Sequence, residues 1–399
     1  MGPTPTVTRE RRGMMLLKIV ARLRTDRMPL TTLRNGLKAS IPWTRKCGSL
    51  TLLLFKYKDD ADVLFRIHGH DGPPISSLVA FGSGKRIATL RRDENQLQVW
   101  SMTNDRLVEE TNSSSIEHSV TINAIAASKD GRYIVSGDDH GDVAIWNTTT
   151  HPSKKVCEFV AAQTSITTLD VSPDSWRIAS GSKDGMVVIW SIKSGERLVG
   201  PLRDQDSPVS SVRFSPAGGR IASAYHLAGG DTFSVRIWHS HTGVQLESIP
   251  INQSTWSLAW STDNQRLFIG GPRGSIKYFD IATRLLLPGF RVPSADLITA
   301  LCLTRNGQFL FSVSSRHAGG IDIWDIRDTS ASGPFRSCRE AYIEGVSVDD
   351  VYLFSIGKQP EITVRSLSTI IDKARLFYVR MRSLNDYIVL IILLSMPIL

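Results

Sequence analysis

Three stretches of this chain carry residue types that metal binding or catalysis would require. "HGHD" places His68, His70 and Asp71 within four residues, a spacing open to metal ligation. "GPRGS" (Gly271–Ser275) is glycine-rich, but it lacks the G-x-x-x-x-G-K-[ST] spacing of a phosphate loop and precedes a strand-like run, so it reads as a hairpin. Serine, histidine and aspartate are plentiful, yet none sits in a G-x-S-x-G elbow that would expose a nucleophile. The four cysteines (Cys47, Cys157, Cys302, Cys338) lie far apart with no C-x-x-C pair. That is neither a disulfide framework nor a zinc pattern, and it points to a reducing compartment. No catalytic residue, metal site or cofactor is assigned from these residues.

What the sequence does contain is recurrence. Asp184-Gly185 stands just ahead of Trp190 in "SGSKDGMVVIW", and "SGDDHGDVAIW" repeats the Gly-then-Trp spacing at Gly141 and Trp146. A search for periods of 20–50 residues, which mark solenoids and propellers, finds the same apolar stretch ending at Trp100, Trp146, Trp190, Trp238, Phe279 and Trp324. A worn seventh copy, "YLFSIGKQPEITVR", has Arg365 at the aromatic position. The steps are 46, 44, 48, 41, 45 and 41 residues.

Upstream of each lies a second alternating piece, such as "INAIAASKDGR" or "VSSVRFSPAGG", that runs into a turn cluster. Period-two alternation followed by Gly, Asp, Ser or Pro predicts a half-buried strand and a tight hairpin. Adding the aromatic-ending strand and a later one such as "ERLVGPL" gives four short strands per unit.

"SPDSWRIASGSKDGMVVIWSIKSGERL" resembles the WD-repeat family, and the resemblance covers about Gly69 to Ser366 in seven units. It implies an all-β fold: a seven-bladed β-propeller of four-stranded antiparallel blades. It also implies a hydrogen-bonded blade network joining a turn Asp, a His from a Gly-His pair, a second-strand Ser or Thr and the third-strand Trp. Asp184 and Trp190 match that pattern, with Ser180 or Ser182 as the hydroxyl; Trp100, Trp146, Trp238 and Trp324 take the Trp position elsewhere. His70 fits the first repeat, which gives the HGHD stretch a structural explanation without metal. His118 fits the second, where His140 stands at the Asp position. Several repeats are degenerate, and blade packing is expected to rest mostly on apolar contacts.

The net charge is +9, and residues 1–50 account for all of it, with eleven basic against two acidic groups. The expected organisation is a basic arm at 1–48, strand material closing the ring at 49–68, the propeller at 69–368, and a tail at 369–399. The arm is Arg-rich and acid-poor like a mitochondrial transit peptide, but poor in serine and without a basic helical face. The tail's apolar run, Tyr387–Leu399, is thirteen residues, short of the ~20 needed to span a bilayer. For ring closure, Asp62–Ile67 is the expected outer strand of the last blade, with Ala374–Met381 as the competing piece.

Resemblance to WD-repeat proteins implies a non-catalytic protein-interaction scaffold, intracellular (cytoplasmic or nuclear) and monomeric, that binds other proteins or peptides. Its docking surface is expected on the rim of turns between second and third strands: Arg91, Arg92, Asp93, Asp139, His140, Lys183, Asp231, Arg273, Arg316 and His317. The alternatives are nucleic-acid or acidic-membrane association through the basic arm, and a metal-dependent propeller enzyme.

Overall fold

The computed structural model describes residues 63–372 except for short stretches at 69–74, 83–84, 92, 104–105, 111–115, 151–152, 204–206, 226–232, 252, 293–296, 316–319, 328–335, 340–342, 349–350 and 358–360. Local sequence sets the strand length. Four- to eight-residue runs, most of them rich in Val, Ile, Phe and Trp, alternate between faces, and Gly, Asp, Asn or Ser turns end many of them.

The strands form seven antiparallel sheets of four main strands each; six are meanders of consecutive strands, and the seventh borrows its outer strand from earlier in the chain. Blade one comprises Ile75–Phe81, Arg86–Arg91, Gln96–Thr103 and Arg106–Glu109; the two-residue strand Ile116–Glu117 also pairs with its third strand. Blade two is Ile122–Ala127, Tyr133–Asp138, Asp142–Asn147 and Lys154–Val160. Blade three is Ile166–Val171, Arg177–Ser182, Met186–Ser191 and Arg197–Arg203. Blade four is Val209–Phe214, Arg220–Tyr225, Phe233–His239 and Gln245–Ile251. Blade five is Ser257–Trp260, Arg266–Gly270, Ser275–Asp280 and Leu285–Arg291. Blade six is Leu297–Leu303, Phe309–Ser315, Gly320–Asp325 and Arg336–Arg339.

Blade seven takes three strands from the end of the repeat array, Ile343–Val348, Tyr352–Gly357 and Glu361–Ser366. Its outer strand is Val63–His68, antiparallel to Glu361–Ser366 with Val63 opposite Arg365 and Ile67 opposite Ile362. The first strands of neighbouring blades touch all the way round, blade seven against blade one included. Closure leaves no blade short of a strand and shelters the edges that an open sheet would expose. The piece Ala374–Met381 lies outside the described residues.

One hydrogen bond recurs in every blade and shows how strictly the units repeat. The residue two past the aromatic position donates its N–H to the carbonyl just before the second strand. The pairs are Met102 to Lys85, Thr148 to Arg132, Ile192 to Trp176, Ser240 to Gly219, Ile281 to Gln265, Ile326 to Gln308 and Leu367 to Val351, at 2.6–3.0 Å.

The turns between first and second strands repeat as well. Ser128, Ser172 and Ser261 donate to the carboxylates of Asp130, Asp174 and Asp263 two residues on. Burial works against the charge on each carboxyl. The serine hydroxyl, a backbone N–H and a neighbouring Arg outweigh it and hold all three below the ordinary 3.8.

Apolar clusters fill the spaces between blades. One joins Val135, Val143 and Ile145 of blade two to Ile166, Leu169, Ile178 and Trp190 of blade three. Another spans Val235 and Ile237 of blade four and Leu258, Leu267 and Phe279 of blade five. The aromatic of one blade lies on the outer strand of the blade before it: Phe159 on Trp190 with ring centroids 4.7 Å apart, and Phe290 stacked on Trp324 at 4.8 Å. Burial of large aromatic and aliphatic surface in this way dominates the stability of such interfaces.

Candidate interaction surfaces

The residues of the blade network occupy the third-strand aromatic position and a second-strand position opposite it. The indole N–H of Trp100 donates to Thr89 Oγ1 at 3.0 Å, Trp146 to Ser136 at 3.0 Å, and Trp190 to Ser180 at 2.9 Å. Trp238 donates to Ser223 and Trp324 to Ser312, both at 2.9 Å. In blade seven the fully buried Arg365 takes the indole's place and donates to Ser355 at 2.9 Å. Blade five has lost donor and acceptor together: Phe279 stands at the aromatic position and Ile269 at the hydroxyl position. Replacing both partners by apolar groups costs little, whereas losing one would strand a buried polar atom.

Of the two serines in blade three, Ser180 serves the tryptophan, while Ser182 donates to Asp184 and Asp184 Oδ1 accepts the Met186 N–H at 3.3 Å. Asp184 therefore closes its own hairpin and makes no bond to Trp190. Sequence reasoning missed Thr89, Ser136, Ser223, Ser312 and Ser355. Their signal is position, two residues past the aliphatic residue that pairs with the aromatic.

In blade two the network is complete but differs from the expectation that put His140 in the Asp role. His118 is buried, with Nδ1 2.9 Å from Asp138 Oδ2 and Nε2 2.6 Å from Ser136 Oγ. The tautomer that satisfies every atom donates from Nδ1 to Asp138 and accepts the Ser136 hydroxyl proton at Nε2, leaving Ser136 Oγ to accept from Trp146. Asp138 Oδ1 also accepts the N–H groups of His140 at 3.0 Å and Asp142 at 2.9 Å. The carboxylate of the network is thus the last residue of the second strand, and His140 is exposed on the turn. His70 lies outside the described residues.

Because each blade is a meander, the turns between second and third strands share an end of the ring with the starts of the innermost strands. On that rim Asp93, Asp139, His140, Lys183 and Arg273 are exposed. Backbone bonds fix the turns to the inner wall: Asp139 N–H to Thr121 O and Lys183 N–H to Ser165 O, both 3.0 Å. Asn123 Nδ2 reaches Asp139 Oδ1 at 3.2 Å and Ser165 Oγ at 2.8 Å, bridging blades two and three.

Arg91 departs from the expected rim. Its strand continues through it, pairing Arg91 with Ile75, and its side chain is buried, with Glu94 4.0 Å away. Arg92, Asp231, Arg316 and His317 lie outside the described residues. Sequence reasoning also missed Trp256, which is 38% exposed at the start of blade five's inner strand. In the neighbouring blades that register position carries Asn123, Thr167, Ser210 and Thr299.

The inner wall holds three ionisable groups at equivalent register positions: Asp170, Arg213 and Cys302. Burial pushes the Asp170 carboxyl up, although Arg213 nearby and the Phe214 N–H, 2.7 Å from Oδ2, favour its charge. Burial pushes the Cys302 thiol up to about 12, and it raises Cys157 as well. Neither sulfur is set up as a thiolate nucleophile. Among the described residues no group of three or more His, Cys, Asp or Glu side chains could hold a metal ion, and no helix is long and apolar enough to cross a membrane.

Comparison with known proteins agrees with this geometry. Residues 90–283 match the β-propeller family described as Nucleolar protein 10-like, N-terminal domain. The small ribosomal subunit protein RACK1y of Oryza sativa subsp. japonica is 27% identical over 157 residues, covering 37% of this chain and 44% of the relative. The Periodic tryptophan protein 2 homolog of Dictyostelium discoideum is 25% identical over 254 residues, 52% of this chain and 26% of the relative. The WD repeat-containing protein SL1-17 of Schistosoma mansoni is 22% identical over 199 residues, 49% of this chain and 62% of the relative. Each alignment spans less than two thirds of the relative. With the sevenfold repeat, the closed ring and the Trp–hydroxyl bonds beside them, the chain is a seven-bladed β-propeller built from repeats of the WD type.

Proposed function

We propose that this protein is a non-catalytic scaffold that docks other proteins or peptides on the rim formed by its second-to-third-strand turns. The observation that carries this reading is the row of exposed charged side chains Asp93, Asp139, His140, Lys183 and Arg273 at one end of a rigid ring. Their turns are tied to the innermost strands by backbone hydrogen bonds. Mixed charge on a fixed frame gives orientation and specificity to a docked segment, and Trp256 beside it offers the aromatic surface typical of binding hot spots.

The relatives' names point the same way, since they include ribosomal subunit proteins and a WD-repeat protein and specify no reaction. They support an intracellular setting, cytoplasmic or nuclear. The proposed organisation keeps residues 1–48 as a basic arm, 49–68 as strand material for closure, 69–368 as the docking propeller and 369–399 as a tail.

The experiment is affinity capture with quantitative mass spectrometry, comparing the native chain with a Lys183→Glu/Arg273→Glu variant. Both side chains are exposed, so the variant is expected to fold normally while losing captured partners. An unchanged partner set at matched expression would remove the rim from consideration.

A further inference from the structure

A second contact recurs at three seams between blades, and at a fourth, where the same arginine is present, it is missing. In several blades the second strand opens with an arginine whose guanidinium crosses to the next blade, at the residue two past that blade's aromatic. Arg86 donates to Thr148 O at 2.9 Å, Arg177 to Ser240 Oγ at 2.9 Å, and Arg266 to Ile326 O at 3.4 Å. Arg220 opens blade four in the same way, and its counterpart in blade five is Ile281. That crossing bond is not formed. Arg220 instead lines a cavity of about 120 Å³ together with Ile237, Leu246, Glu247, Ile281 and Arg284.

The chemistry of this cavity is specific. Arg220 is half-buried and, among the described residues, its side chain makes no hydrogen bond or ion pair. A guanidinium held partly out of water gains strongly from a bidentate carboxylate. Arg284, also in the lining, has a left-handed backbone conformation (φ 57°), with Glu247 Oε1 3.1 Å from its Nε. The polar wall therefore carries two positive charges against one negative. Leu246 of the lining is 40% exposed, and its near neighbours in sequence include further aliphatic side chains in solvent, Val244 at 58% and, beside Arg284, Leu285 at 55%.

We infer that the seam between blades four and five is a docking pocket for an acidic, apolar peptide segment of a partner protein. An Asp or Glu side chain enters the cavity to meet Arg220, and adjacent aliphatic residues cover Val244, Leu246 and Leu285. The net positive charge of the wall selects the carboxylate, and the apolar rim distinguishes a peptide from a free anion. This inference shares with the rim reading only the premise that the chain binds other proteins; the surface and the residues are different.

The test is selection of random twelve-residue peptides from a display library on the full-length chain, followed by anisotropy titration of the selected peptides. The expected peptides place Asp or Glu beside Leu, Ile, Val or Phe. Their affinity falls at least about tenfold in Arg220→Ala and in Val244→Asp, and it is unchanged in Lys183→Glu. Val244→Asp alters an exposed side chain, so it carries the test if Arg220→Ala lowers the melting temperature. Failure to select any peptide that loses affinity in both seam variants overturns the inference. So does displacement of the peptides by millimolar inorganic phosphate, which would show a general anion site. Peptides that lose affinity only in Lys183→Glu would overturn the seam while leaving the rim reading intact.

Discussion

Ser136 and Ser312 hold the same place in their blades, yet replacing each by alanine should have different consequences. Ser312 Oγ is the buried acceptor of one indole N–H, that of Trp324. Ser136 Oγ accepts from Trp146 and also faces His118 Nε2 at 2.6 Å. Both hydroxyls are fully buried, so water cannot replace them. Stranding one buried polar atom costs ~1–3 kcal/mol. Ser312→Ala should therefore lose ~1–2 kcal/mol and Ser136→Ala ~2–4 kcal/mol, because the latter strands a donor and an acceptor. The lost oxygen volume is the same in both, which cancels the packing contribution in the comparison. The assay is equilibrium urea unfolding at neutral pH, with far-ultraviolet circular dichroism and tryptophan fluorescence read on the same samples. A second arm measures His118→Phe alone and with Ser136→Ala; because the two side chains share a bond, the double variant should lose less than the sum of the single losses. Equal losses for the two serine variants would refute the reasoning, since they would mean that the His118–Ser136 bond contributes nothing.

Other outcomes follow from backbone and charge. Gly141→Ala should destabilise by about 3 kcal/mol or more, because Gly141 has φ 95° and a Cβ would lie 2.3 Å from Ala162 O; Gly219→Ala, with nothing within 4 Å, should be nearly neutral in the same denaturation experiment. Asp170→Asn should stabilise the protein at pH 7 and match the native chain in acid. Burial raises the Asp170 carboxyl, so its favourable contribution is present below the ordinary value and lost as pH rises through the raised one, while an amide oxygen can still accept the Phe214 N–H. Melting temperatures of both chains across pH would show the crossover, and parallel curves would contradict it. Deleting residues 1–68 removes the strand opposite Glu361–Ser366 and should abolish cooperative melting or bring aggregation; a monomer that melts as before would show that another segment fills that place.

The repeat was legible because its signal is spread over seven copies: an apolar run ending in an aromatic, at steps of 41–48 residues. No single blade had to be correct, and Arg365 could be recognised at the aromatic position only because its neighbours were in register. Short-range choices were harder to read. In "SGDDHGD" the period marks a turn but cannot say which carboxylate folds inward; the structure selects Asp138, whose Oδ1 caps the turn's own N–H groups. Charge was a poor guide to exposure at Arg91, because the strand extends one residue further than its apolar pattern and takes the guanidinium inside. The seam at Arg220 was invisible for another reason. The residue type is the same as at Arg86, Arg177 and Arg266, and only the distance to the next blade tells that its bond is missing.

The closing strand also sets a timetable for synthesis. Val63 leaves the ribosome before its partner Arg365, which follows roughly 300 residues later, a delay of ~15–60 s at elongation rates of ~5–20 residues per second. Blades one to six can each complete their meander as they emerge, since their strands are consecutive in the chain. Throughout that interval the strand Val63–His68 has no sheet to join, and the nascent product is an open arc with a free first strand at one end. The ring is sealed only once Glu361–Ser366 has emerged. A pause, truncation or frameshift after blade six would release an arc with unsatisfied edges, and the vulnerable species for chaperones and proteases is that late intermediate rather than the early chain.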